Sequence, residues 1–274
     1  MNLAGNVLLH HPNEVTWILE QLVQGIQQAL PHNLAGIYPR GSLAYGDFNA
    51  ATSDLDILVI TQRTVNDPEF TRLSDFHKQL ANAPNPYATQ IEIAYIEAET
   101  ARQFQPKQRY PTLERGKGEI LKWAEHGQNW ILERWTIRAY GKALLGPKPD
   151  TLINPISPAE IIRAVCTRLK DWAEWAQDEN DPDWQLPKSH KAYVVETMCR
   201  ALYTLQTGTL ASKPQSVQWA LDNLPPEWGQ LAAQSQTWRE DNHVDLSINP
   251  TIRRFVLWVA ASKKCAAYDA TEPG

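Results

Sequence analysis

Residues 53–60 read SDLDILVI, and they constrain the fold more than any other stretch of the chain. Leu55, Ile57, Leu58, Val59 and Ile60 demand burial as a β-strand. Asp54 and Asp56 enter the same run, although an unpaired buried carboxylate costs several kcal/mol, on the order of an ion's effective desolvation. Residues two apart on a strand point the same way, so Asp54 and Asp56 share one face while Leu55, Ile57 and Val59 line the other. Two anions so close repel unless a cation sits between them. Mg²⁺ suits the position, because it takes oxygen ligands and combines one or two carboxylates with substrate phosphates.

The flanking residues fit that demand. Gly41-Ser42 lies upstream: Gly41 allows close backbone approach to a ligand, and Ser42 offers a hydroxyl and an N–H. The following Leu-Ala-Tyr-Gly segment is expected to open a helical turn favouring an anion. Ser53 offers a second hydroxyl, and Glu92, on a later strand, is the candidate third carboxylate. A D-x-D pair alone also occurs as a turn or cap at a strand end. The ordered series of Gly-Ser, Asp-x-Asp and Glu on successive elements points instead to metal-assisted, in-line transfer of a nucleotidyl group.

The pattern of elements supports two domains. From Asn13, the apolar positions Val15, Ile18, Leu19, Leu22, Ile26 and Leu30 follow a helical period that Pro31 stops. Strands are predicted at Leu34–Tyr38, Leu55–Ile60 and Thr89–Ile96, giving an α/β unit with a mixed sheet flanked by helices. Helices are predicted around Leu113–Leu145. After Gly146-Pro147-Lys148-Pro149 nearly everything reads as helix, so the division is placed at 1–146 and 147–274. Ser157-Pro158-Ala159-Glu160 is a capping-box pattern. Further helices are predicted at Ser189–Thr207, closed by Gly208, and at Pro250–Tyr268.

Bulk properties exclude several classes. A net charge of −5 without a dense Lys/Arg block disfavours nucleic acid and suits a small cationic partner. No apolar run approaches the roughly 20 residues that span a bilayer, and the start, MNLAGNVLLHHPNE, lacks signal-peptide features. Cys166, Cys199 and Cys265 have no metal-like spacing, and an odd count fits a reducing cytoplasm. No histidine pair has zinc spacing; His10 and His11 read as a disordered start, His126 and His243 as surface residues. His190 is the one histidine singled out as a substrate contact. In WAEWAQDENDPDW, tryptophans among carboxylates suit a polycation through charge and cation–π contact.

The series GS…SDLD…IEIAYI, the ALLGP linker, and the helical segments PDW, VVETMCRALYTLQTG and ASKPQSVQWALDNLP resemble the nucleotidyltransferases of the DNA polymerase β-like superfamily. Within it, they resemble the bacterial aminoglycoside adenylyltransferases that modify streptomycin and spectinomycin. The resemblance implies an α/β nucleotidyltransferase domain followed by an all-α helical bundle, with the active site in the cleft between. It implies Mg²⁺ and ATP as co-substrate, with AMP passing to a drug hydroxyl. Asp54 and Asp56 match the metal-binding aspartates, and Glu92 the carboxylate proposed as base. Ser42 and Ser53 match triphosphate-holding hydroxyls, and Arg200 and Lys213 match basic residues that clamp the phosphates. Trp238 matches an aromatic near the nucleotide; Trp172 and Asp183 match residues that bind streptomycin.

Two departures fall on the drug side. Where the family has an acidic residue soon after PDW, this chain reads QLPKSHKAY. The tryptophan expected after the third carboxylate has no clean match, the aligned region reading ERGKG with Trp123 several residues later. Three alternatives therefore stay open: adenylylation of a protein or another small molecule, a glycosyltransferase using D-x-D with a nucleotide-sugar, and a non-catalytic nucleotidyltransferase-like partner protein. The expected state is a cytoplasmic monomer.

Overall fold

The computed structural model describes residues 12–269, so His10 and His11 lie outside the described residues. The chain divides into two compact units, one ending at Pro155 and the other starting at Ile156.

The first unit opens with α1 (Asn13–Ala29), whose stripe of Val15, Ile18, Leu19, Leu22, Val23 and Ile26 is buried. Each such side chain contributes about 1.5–3 kcal/mol when fully buried, and a truncation such as Leu22→Ala costs about 2–5 kcal/mol. Strands β1 (Leu34–Pro39) and β2 (Leu55–Thr61) flank a one-turn helix, α2 (Gly41–Tyr45). Then come α3 (Asp67–Ala81), β3 (Ile91–Glu97), α4 (Ala98–Arg102), β4 (Arg109–Leu113), β5 (Lys122–Glu125) and α5 (Asn129–Tyr140).

The five strands lie in sequence order as one mixed sheet. The β2–β3 pair is parallel, joined across α3, and the other neighbours are antiparallel. The core on one face gathers Leu55, Ile57 and Val59 of β2 with the α1 stripe. Leu58 and Ile60 on the opposite face are also fully buried, which explains the near-continuous apolar run.

The second unit is all helical: α6 (Pro158–Gln177), α7 (Lys188–Thr207), α8 (Lys213–Asn223), α9 (Pro226–Trp238), α10 (Asn249–Ala260) and α11 (Lys263–Asp269). The Ser157 hydroxyl accepts from the Glu160 N–H at 3.3 Å and the Glu160 carboxylate accepts from the Ser157 N–H at 2.8 Å, a complete capping box. Helix α7 packs against α6, α8, α9 and α10, and ends at Gly208 with φ +71°, a conformation that favours glycine.

Four expectations are corrected. Leu113–Leu145 holds β5 and only one helix, α5. The helix predicted over Pro250–Tyr268 breaks at Ala261-Ser262 into α10 and α11. Cys166 on α6 and Cys265 on α11 form a disulfide across 99 residues, leaving Cys199 buried and free; helix packing brings together two thiols that sequence spacing keeps apart. His126 is buried, not a surface residue, and stacks on Trp130 at 3.7 Å. No helix among the described residues is long and apolar enough to cross a membrane.

Candidate active site

The parallel register sets Asp56 of β2 directly beside Glu92 of β3. Asp54, immediately before β2, completes a group in which one oxygen from each of Asp54, Asp56 and Glu92 lies within 4.8 Å of the others. Ligands on opposite sides of one Mg²⁺ stand about 4.2 Å apart, twice the usual bond length. The donor set is therefore the size and chemistry that hard cations take: oxygen only, anionic, and partly open to solvent.

Gly41 explains why the turn needs glycine. Its φ is +56°, and a Cβ there would stand 2.2 Å from the Asp56 Oδ2. Helix α2 starts at that point, and the Ser42 carbonyl accepts from the Gly46 and Asp47 N–H groups at 3.0 Å. The Ser42 hydroxyl oxygen is buried and has no hydrogen-bond partner among the described residues. Ser53 Oγ accepts from the Asn49 N–H at 3.0 Å, fixing the loop that delivers Asp54. Gly41, Ser42, Ser53, Asp54, Asp56 and Glu92 all belong to this one unit, on α2, β2, β3 and the loop before β2.

The sequence reading passed over the cations already present. Arg40 is 5% exposed and pairs with Glu92 at 2.5 Å and with Asp56 and Glu133 at 3.3 Å. Its guanidinium also lies over the Trp130 ring, 5.1 Å from the centroid. Arg115, 53% exposed, pairs with Asp54. Four carboxylates thus face two guanidinium groups. Burial pushes the Asp56 carboxyl upward, and Arg40 pulls it back down. For Arg40, burial opposes the charge, but Asp56, Glu133 and Glu92 together hold its pKa above the ordinary value.

In the second unit three of the expected residues, Trp172, His190 and Lys213, gather around one that was not expected, Tyr193 on α7. Its ring lies 6.3 Å from Trp172 and 6.0 Å from His190, and the Lys213 ammonium sits 4.7 Å from its centroid. Burial lowers the His190 pKa, and Asp183 works against that shift. Arg200 Nε donates to the Ala211 carbonyl at 3.2 Å. Trp238 ends α9 with 8% of its surface exposed. An exposed tyrosine one helical turn beyond His190 was the available signal for Tyr193. At the departures, Lys191 is buried and donates to the Asp183 carbonyl at 2.8 Å, and Trp123 lies on β5, stacked against Phe70 at 5.7 Å.

Residues 19–115 match the nucleotidyltransferase domain family, which, with the mixed sheet and its acidic group, makes this chain a nucleotidyltransferase. Residues 151–261 match the C-terminal domain of aminoglycoside adenylyltransferase. The chain belongs to the aminoglycoside adenylyltransferase family. It is 28% identical over 233 residues to an aminoglycoside (3'') (9) adenylyltransferase of Shigella flexneri, covering 78% of this chain and 81% of the relative. It is 21% identical over 217 residues to a spectinomycin 9-adenylyltransferase of Staphylococcus aureus, covering 76% and 78%. The fold resembles the crystal structure of a spectinomycin adenyltransferase from Enterococcus faecialis with ATP and spectinomycin. The TM-score is 0.70 at 14% identity, covering 91% of this chain and 98% of that one.

Proposed function

We propose that this chain transfers AMP from Mg·ATP to a hydroxyl of streptomycin or spectinomycin and releases pyrophosphate. The convergence of Asp54, Asp56 and Glu92 within 4.8 Å carries the reading. The relatives' names supply the acceptor class, an aminoglycoside, with spectinomycin named for the Staphylococcus aureus protein.

Asp54 and Asp56 would hold the metal, with Glu92 at its edge. Bound there, Mg²⁺ supplies charge stabilisation for the triphosphate and the leaving pyrophosphate. Glu92 takes the proton from the acceptor hydroxyl, whose oxygen bonds to the α-phosphorus as the bond to pyrophosphate breaks. One Glu92 oxygen is tied to Arg40, so its other oxygen is the one that receives the proton. Gly41 and Ser42 bring backbone and hydroxyl to the phosphates, joined by Ser53. Arg200 and Lys213 are assigned to phosphate charge and Trp238 to the nucleotide, and Trp172, Asp183 and His190 to the drug.

A second acceptor is favoured by one observation: a buried lysine, Lys191, occupies the segment where the family carries an acid. A cation there disfavours a polycationic drug. The test is mass spectrometry of purified protein with Mg·ATP and a panel of aminoglycosides including both drugs. A mass increase of one AMP on streptomycin or spectinomycin is expected. An adduct on another acceptor alone supports the second reading, and no adduct on any overturns the first.

A further inference from the structure

We propose that Arg40 is a positioning residue of the transfer reaction. Anchored by Glu133 and Trp130, it fixes one oxygen each of Asp56 and Glu92 and leaves their others for the metal and the acceptor proton. The proposal deepens the reading of the same site and rests on it.

The two arginines at the site differ in a way that assigns them different parts. Arg115 is 53% exposed and has one carboxylate partner among the described residues, so it can swing away from Asp54 when a divalent ion arrives. Arg40 is 5% exposed, ion-paired to three carboxylates, and laid over an indole. Its backbone N–H also donates to the Asp56 carbonyl at 2.8 Å, which joins its main chain to β2. Such a group stays when the ion comes. A guanidinium presents its donors in a planar, rigid fork, so the angles between Asp56 and Glu92 are set by Arg40; an ammonium would not set them.

Glu133, on α5, is not one of the carboxylates in the metal-sized group. Its partnership with Arg40 instead takes up part of the arginine's charge. Shared among three carboxylates, Arg40 holds Asp56 and Glu92 in place without giving its whole charge to them.

The test reads metal binding and catalysis separately, using the full chain. Mn²⁺ alone is titrated calorimetrically into the metal-free protein, and kcat and the KM for ATP are followed by pyrophosphate release. Arg40→Gln should bind Mn²⁺ about threefold more tightly or better, because a competing cation is gone. Its kcat should fall about tenfold or more with little change in KM, because the carboxylates lose their alignment. Arg40→Lys should return Mn²⁺ affinity to the wild-type value yet recover only part of kcat.

Glu133→Gln is the companion variant if Arg40→Gln does not fold. With Glu133 neutral, Arg40 binds Asp56 and Glu92 harder, and Mn²⁺ affinity should weaken about threefold. Unchanged Mn²⁺ affinity in folded Arg40→Gln or Glu133→Gln, or losses of kcat that only track the folded fraction, overturns the proposal. A wild-type chain that forms no AMP adduct sinks the functional reading, whereas the Mn²⁺ titrations still decide whether Arg40 shares its charge as described.

Discussion

Asp56 and Glu92 are register partners on two parallel strands, so backbone hydrogen bonding, not a loop, sets the spacing of two of the three acidic groups. A constellation built on strands is held more tightly than one built on loops. The third, Asp54, depends on the turn before β2, and the turn at Gly41 presses against the Asp56 side chain.

The Gly41 turn yields the first prediction. Gly41→Ala places a Cβ 2.2 Å from Asp56 Oδ2 at a φ of +56°. The strained backbone costs about 1–3 kcal/mol, and the displaced carboxylate lowers turnover by more than the stability loss explains. Melting and pyrophosphate release on the same sample check it; a variant with wild-type turnover contradicts it.

Histidine burial makes stability pH-dependent. Burial pushes His77 down to about 3, and burial, with Arg134 and Arg40 nearby, does the same to His126. Between pH 6.5 and about 3, the unfolded chain takes up protons that the folded chain refuses, so acidification favours unfolding across that window. The penalty is about 1.4 kcal/mol per histidine at pH 5.5. His77→Gln keeps a partner for the Tyr95 hydroxyl, now 2.6 Å from His77 Nε2. It should reduce the loss of stability between pH 7 and 5.5 in urea melts by about 1 kcal/mol; an unchanged loss contradicts the assignment.

Arg134 supplies a contrast to Arg40. It is 1% exposed, and none of its three guanidinium nitrogens has a hydrogen-bond partner among the described residues. Burial lowers it to about 10, so the charge persists at neutral pH. Even paired buried charges can be replaced by well-packed apolar side chains of similar volume with no loss, or with a gain of about 1–4 kcal/mol, and an unpaired one has less to lose. Arg134→Met retains contact with the Phe104 ring, which lies 5.2 Å from the guanidinium. The expected result is a higher melting temperature; a lower one means that Arg134 has a counter-charge in solution.

What could be read from the sequence was local. The α1 stripe, the capping box at Ser157 and the β2 run declare themselves within a few residues, and strand alternation alone put Asp54 and Asp56 together. The hairpin of β4 and β5 did not, because Pro111 interrupts one strand pattern and the other strand has four residues. Arg40 was hidden for a different reason. An arginine before Gly-Ser reads as surface, and its anchor Glu133 comes from a helix far along the chain. The break between α10 and α11 was masked by an apolar period that continues in sequence while the backbone does not. Tyr193 became visible only when α6, α7 and the start of α8 placed Trp172, His190 and Lys213 around it.

The most direct measurement pairs ATP binding with AMP transfer in Glu92→Gln. If Glu92 is the group that takes the acceptor's proton, calorimetry will still register Mg·ATP binding. Mass spectrometry will then find transfer to the drug reduced by about 10²–10⁴-fold. Transfer at the wild-type rate would contradict the account, whatever the spacing of the three carboxylates.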